Sequence, residues 1–165
     1  MTTPTPPLDT AHFEVWADFV LGYTRVMRLI EKRLRATAGL TWAQYDVLYN
    51  LNNGPGEGLS VTGLSRTLLY SSGSASNLVG SMEKAGLVDR EQSSSDRRVS
   101  LIRTTEKGRS AFEAATVAVL EVVRDEFAAP LTDAELPAVA AFLRRIREAD
   151  PNLARPPYNL PVTLP

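Results

Sequence analysis

From Phe13 onward the chain places apolar residues at alternating steps of three and four, through Trp16, Val20, Tyr23, Met27 and Ile30 to Leu34. That spacing puts the side chains on one stripe of an α-helix, across three heptads. It predicts a long helix opened by Asp9 or Thr10 as cap and running to about Ala38, with Gly39 as a left-handed stop. Lys32, Arg33 and Arg35 then sit at the negative end of the helix dipole. Val15, Phe19, Val26 and Leu29 add a second apolar flank, more than one small domain covers, so the helix is expected to pack against a partner chain.

Thr41 and Gln44 have the spacing of a capping box for a second helix, with Tyr45, Leu48, Tyr49 and Leu51 inward. Gly and Pro mark a turn from Asn52 to Gly58. A short helix follows over 59–69, capped by Ser60. Tyr70 to Gly73 breaks it and opens another, whose apolar positions Ala75, Leu78, Val79 and Met82 oppose a small polar face of Ser74, Asn77, Ser81 and Lys84. Two short helices joined this way have the sequence form of a helix-turn-helix. Residues 87–92 and 99–104 alternate as two strands around the polar loop 93–98, a hairpin or wing. Thr105 caps a fifth helix with Ala111, Phe112, Ala115, Val119, Val122, Val123 and Phe127 inward. Thr132 and Glu135 have capping-box spacing for a sixth, with Leu136, Val139, Phe142, Leu143 and Ile146 as its apolar positions. Pro137 is expected just past its first turn, at the loss of one backbone hydrogen bond.

The pattern therefore predicts a mainly α (α+β) fold, a winged helix-turn-helix domain with a two-stranded wing flanked by N- and C-terminal dimerisation helices. The expected divisions are a disordered arm at 1–8, a dimerisation region at 9–39 and 105–150, a DNA-binding domain at 40–104 and an extended tail at 151–165.

Net charge over the 165 residues is −1, unfavourable for a polyanionic partner if spread evenly. It is not spread evenly. Residues 60–110 hold eight basic against five acidic side chains, and the rest of the chain holds 10 against 14. A basic centre lies between acidic flanks. There is no cysteine and one histidine, His12, which excludes disulfides, thiolate metal sites and Cys/His nucleophiles. No cofactor or metal is expected, and no nucleophile with a base or glycine-rich phosphate loop points to an enzyme. The N-terminal stretch has no apolar signal core, and no run approaches the roughly 20 apolar residues of a membrane span. A cytoplasmic protein is expected.

A helix that reads DNA must bring short hydrogen-bonding side chains to base edges and amides to phosphates. Ser71, Ser72, Ser74, Ser76 and Asn77 suit that task, with Asn77 the best base reader and adenine its favoured partner. Ser60 and Lys84 flank them. Four stretches, LTWAQYDVL at 40–48, LSVTGLSRTL at 59–68, SSGSASNLVGSMEKAGLV at 71–88 and SSDRRVSLIRTTEKG at 94–108, together resemble the MarR (multiple antibiotic resistance regulator) family of bacterial transcription factors. Thr104 stands where an aliphatic residue is usual there, and the wing lacks a proline often found near its Asp. The resemblance implies that Arg98 enters a minor groove, Arg97 meets phosphate and Asp96 orients the loop through an ion pair. A homodimer is expected, whose two-fold symmetry calls for a pseudo-palindromic operator; the resemblance further implies repression until a small aromatic or phenolic effector binds between the dimer core and the winged domain. Trp16, Arg28, Tyr45 and Tyr49 are the pocket candidates, being aromatic or cationic near that junction; the three aromatic residues also suit an ordinary core. A winged-helix protein-interaction module or a ligand-independent activator are the competing readings.

Overall fold

The first helix, α1 (Thr10–Ala38), starts where the Asp9 side chain accepts a hydrogen bond from the His12 amide. It stops at Gly39, whose φ of 67° is the left-handed conformation that favours glycine. The computed structural model describes residues 9–54, 58–67, 72–92 and 100–150. The expected arm, the tail and the wing tip lie outside the described residues. After α1 come α2 (Trp42–Asn53), β1 (Leu59–Ser60), α3 (Val61–Thr67), α4 (Ser72–Lys84), β2 (Val88–Gln92), β3 (Ser100–Thr104), α5 (Glu106–Val123), a π-helical turn (Arg124–Ala128) and α6 (Leu136–Glu148). The architecture is mainly helical with one small sheet, a winged helix-turn-helix.

The Thr41–Gln44 capping box forms in both directions, at 3.2 and 2.9 Å. α2 runs through Asn53, two residues into the stretch expected to turn. The sheet has three antiparallel strands in the order β1-β3-β2, not the expected two. Leu59 and Ser60 pair with Ile102 and Leu101 on the free edge of the hairpin. Two residues are too few to show alternation, and Ser60 also accepts a hydrogen bond from the Gly63 amide at 3.0 Å, the cap signal that dominates its reading.

Ile30 and Leu34 of α1 share one core with Leu40, Val47, Leu48, Leu64, Val79, Met82, Ile102 and Phe112. The core is thus continuous from the long helix into the winged segment. Glu31 ties the same two parts by a polar contact. Its carboxylate accepts from the Trp42 amide at 2.7 Å, satisfying an orphan donor of α2, and from Arg35 at 2.8 Å. Glu31→Ala is expected to cost about 1–2 kcal/mol for the lost cap, whereas Arg35→Ala, which removes only an exposed ion pair, costs under about 0.5 kcal/mol. Urea melts of the two variants check this; equal losses would contradict it.

Asp46, half-buried on α2, has its carboxyl pushed up to about 6 by burial, against the opposing hydrogen bond from Asn50. In the unfolded chain it titrates near the ordinary value of about 3.9. The folded state therefore holds this proton more tightly. Its contribution to stability is full below pH ~4 and is lost as pH rises through ~6. Asp46→Asn keeps an acceptor for Asn50 and is expected to melt higher than the parent at pH 8, with the gap closing by pH 4. Thermal melts at both pH values check this, and an offset independent of pH would contradict it.

At the other end of the fold three expectations change. Phe127, expected inward, is 49% exposed in the single chain and lies within the π-helical turn, where the regular helical spacing is interrupted. Thr132 and Glu135 form only half of a capping box. The Glu135 carboxylate accepts from the Thr132 amide at 3.0 Å and its hydroxyl at 2.6 Å, so that hydroxyl donates to the carboxylate. Helix α6 then begins at Leu136, which places Pro137 inside the first turn, where its missing N–H has no helical partner to lose.

Candidate nucleic-acid interface

Helix α4 buries Ala75, Val79 and Met82 and leaves Ser74, Ser76, Asn77, Ser81 and Lys84 exposed. The apolar side fixes the helix to the body, and the polar side forms a low surface of hydroxyls, an amide and a terminal cation. Ser81 donates to the Leu78 carbonyl at 2.7 Å, so its hydroxyl is directed back into the helix. Ser60 is half-buried and serves as the α3 cap. Ser72 opens α4, while its side chain, Ser71, Asp96, Arg97 and Arg98 lie outside the described residues.

The wing ladder runs from Val88↔Thr104 to Gln92↔Ser100, so residues 93–99, with both candidate arginines, connect its far ends. Arg103 and Glu91 brace the ladder across the strands at 2.9 Å. Arg90 pairs with Glu83 of α4 at 2.8 Å, and Arg109 lies 3.8 Å from Glu106. Several charges in the basic centre are therefore consumed internally. Of the described ones, Arg66 and Lys84 stand exposed on α3 and α4. Composition could not separate these from the paired ones, because the partners are set by strand register and helix packing.

The four pocket candidates fall into three places in one chain, with only Tyr45 and Tyr49 brought together, their rings 6.3 Å apart. Tyr45 is buried and stacks on Phe112, ring centroids 5.7 Å apart, and Tyr49 meets the same ring at 6.4 Å. Trp16 is 58% exposed beside Phe19. Arg28 lines a cleft of about 390 Å³ with Leu21, Thr24, Arg25, Leu29 and Glu126, where Arg25 and Glu126 pair at 2.6 Å. The π-helical turn supplies Glu126 to this cleft, and no sequence signal had marked it.

Apolar surface is concentrated on two helices. Phe13, Val15, Trp16, Phe19, Val20, Leu21 and Tyr23 are exposed along the first half of α1, as are Leu136, Phe142 and Ile146 on α6. Large apolar side chains exposed in this number on two helices are characteristic of an interaction surface. No described helix is long and apolar enough to cross a membrane.

The model of the MarR family matches residues 38–99, from the end of α1 into the wing. A protein of Thauera aromatica, named "Putative transcriptional regulatory protein for hcr operon", is 30% identical over 129 residues, which is 78% of this chain and 76% of that one. The chain belongs to the MarR family. Its fold matches that of AbsC, a MarR family transcriptional regulator from Streptomyces coelicolor, with a TM-score of 0.79 and 27% identity over 88% of this chain and 97% of that one. CouR from Rhodococcus jostii RHA1, solved bound to p-coumaroyl-CoA, has a TM-score of 0.66 and 28% identity, covering 79% of this chain and 90% of CouR.

Proposed function

We propose that this MarR family member is a homodimeric, double-stranded DNA-binding repressor acting in the cytoplasm, without enzymatic activity. Residues 9–39 and 105–150 pair two copies and residues 40–104 bind DNA. The observation that carries this reading is the two-sided α4, apolar toward the body and lined outward by Ser74, Ser76, Asn77 and Lys84. Such a helix fits a major groove, with the amide of Asn77 able to bond an adenine edge and the serines bonding phosphates and water. Arg97 and Arg98 at the wing extend the contact to phosphate and to a narrow minor groove. Two-fold pairing through α1, α5 and α6 calls for a pseudo-palindromic site with half-sites roughly 34 Å apart.

An aromatic effector is supported by the p-coumaroyl-CoA bound in CouR and by the cationic, apolar-floored cleft beside Arg28. A ligand preferring a dimer with the wrong half-site separation lowers DNA affinity by that preference. A thermal-shift screen of phenolic acids and their CoA thioesters tests this half: stabilisation by a member of either class supports it, and none contradicts it.

The DNA half is tested with a duplex selected from a random library by the purified protein. Affinity is expected to fall by about 10³-fold or more between 50 and 200 mM salt, as several phosphate contacts require. Failure to select any duplex would instead favour a protein-interaction module.

A further inference from the structure

The turn after α4, residues 85–87, does not simply run into the wing; it is held by Thr105, the cap of α5, and by Lys107 in its first turn. Three successive carbonyls there are received by two residues. Ala85 accepts from the Lys107 ammonium at 2.7 Å, Gly86 from the Thr105 hydroxyl at 2.7 Å, and Leu87 from the Thr105 amide at 3.2 Å. Thr105 also caps α5 by accepting from the Gly108 amide at 3.0 Å. The chain can make this turn because Gly86 adopts φ 71°.

The arrangement is electrostatically matched. A helix end leaves its last carbonyls without intrahelical partners and carries partial negative charge, while the start of α5 carries the opposite. A lysine at that place answers both the hydrogen-bonding deficit and the charge. α4 is also held by its apolar face of Ala75, Val79 and Met82 and by the Arg90–Glu83 pair to β2. Hydrophobic contact is non-directional, so it defines the angle of a helix less sharply than aligned hydrogen bonds do. The polar joint fixes direction, and α5 in turn makes its most extensive packing with α1.

We infer that Lys107 and Thr105 are positioning residues for DNA recognition, joining α4 rigidly to α5 so that the separation of two α4 helices in the dimer is set by the α1–α5 body. This rests on the DNA-binding reading above. Neither residue lies on the outward face of α4, and the joint acts through the angle of the helix, not through contact with the duplex.

The test uses the full-length dimer, the duplex selected from a random library by the parent protein, and versions of it with one or two base pairs added to or removed from the centre. The variants are Lys107→Met, which keeps the apolar stem and removes the donor, and Lys107→Arg, which restores one. Lys107 is exposed, so both are expected to fold, and melting curves verify it. The parent should prefer the selected spacing. Lys107→Met should lose about fivefold or more of that preference, the lower end of typical coupling between sites, with Lys107→Arg regaining most of it and the salt slope unchanged. A Lys107→Met profile like the parent's would overturn the inference, as would a uniform loss across all spacings with a salt slope reduced by about one, the mark of a direct phosphate contact. If the parent selects no duplex at all, the DNA-binding reading fails and the joint's role fails with it, an outcome distinct from the other two.

Discussion

Gly108→Ala is expected to destabilise the protein by about 3 kcal/mol or more, although alanine is the better helix former by roughly 1 kcal/mol. Gly108 is buried in the first turn of α5. A Cβ there would lie 2.0 Å from the Leu87 carbonyl oxygen, 2.9 Å from its carbon and 3.0 Å from the Thr104 methyl. The clash is with backbone, which cannot rotate away as a flexible side-chain end would. To make room, the Leu87 carbonyl must leave the Thr105 amide, and Leu87 must shift within the core. The melting temperature should fall by roughly 6–12 °C for a domain of this size. A variant melting at or above the parent would show that the α4–α5 joint is looser than described.

The second large effect is expected at the wing. Arg97→Glu with Arg98→Glu replaces two cations by two anions at the connection between β2 and β3. The supporting ladder is internally braced by the Arg103–Glu91 pair and the buried Ile102, so the fold should survive. Duplex affinity at about 0.15 M salt should drop by ~100-fold or more, and the slope of log affinity against log salt should flatten by about two. Fluorescence anisotropy across a salt series measures both quantities, with the melting temperature recorded alongside. A loss under about fivefold with an unchanged slope would remove the wing from the interface.

Local signals in the chain proved sufficient where the physics is local. The Gly39 stop, the Thr41–Gln44 box and the Thr105 cap depend on residues within a turn of one another, and each formed as expected. The two-sided character of α4 was equally legible, since it needs only the 3.6-residue period. The features that escaped depended on distant partners. β1 exists because Leu59 and Ser60 meet Ile102 and Leu101 some 40 residues later. Phe127 was extrapolated along a regular helix that the π-helical turn interrupts. The pairing of Arg90 with Glu83 and of Arg103 with Glu91 comes from tertiary register, so the basic centre was overcounted as free charge. The Lys107 joint has no sequence signature, because a lysine near a helix start ordinarily opposes the dipole. Its reason is visible only once the end of α4 is brought against it.

The most direct measurement is the mass of the complex with one selected duplex, by analytical ultracentrifugation. Two chains of 18.0 kDa each per duplex are predicted, with the free protein already paired through the exposed stripe of α1. A single chain bound per duplex, or a free protein that stays monomeric at micromolar concentration, would contradict the account.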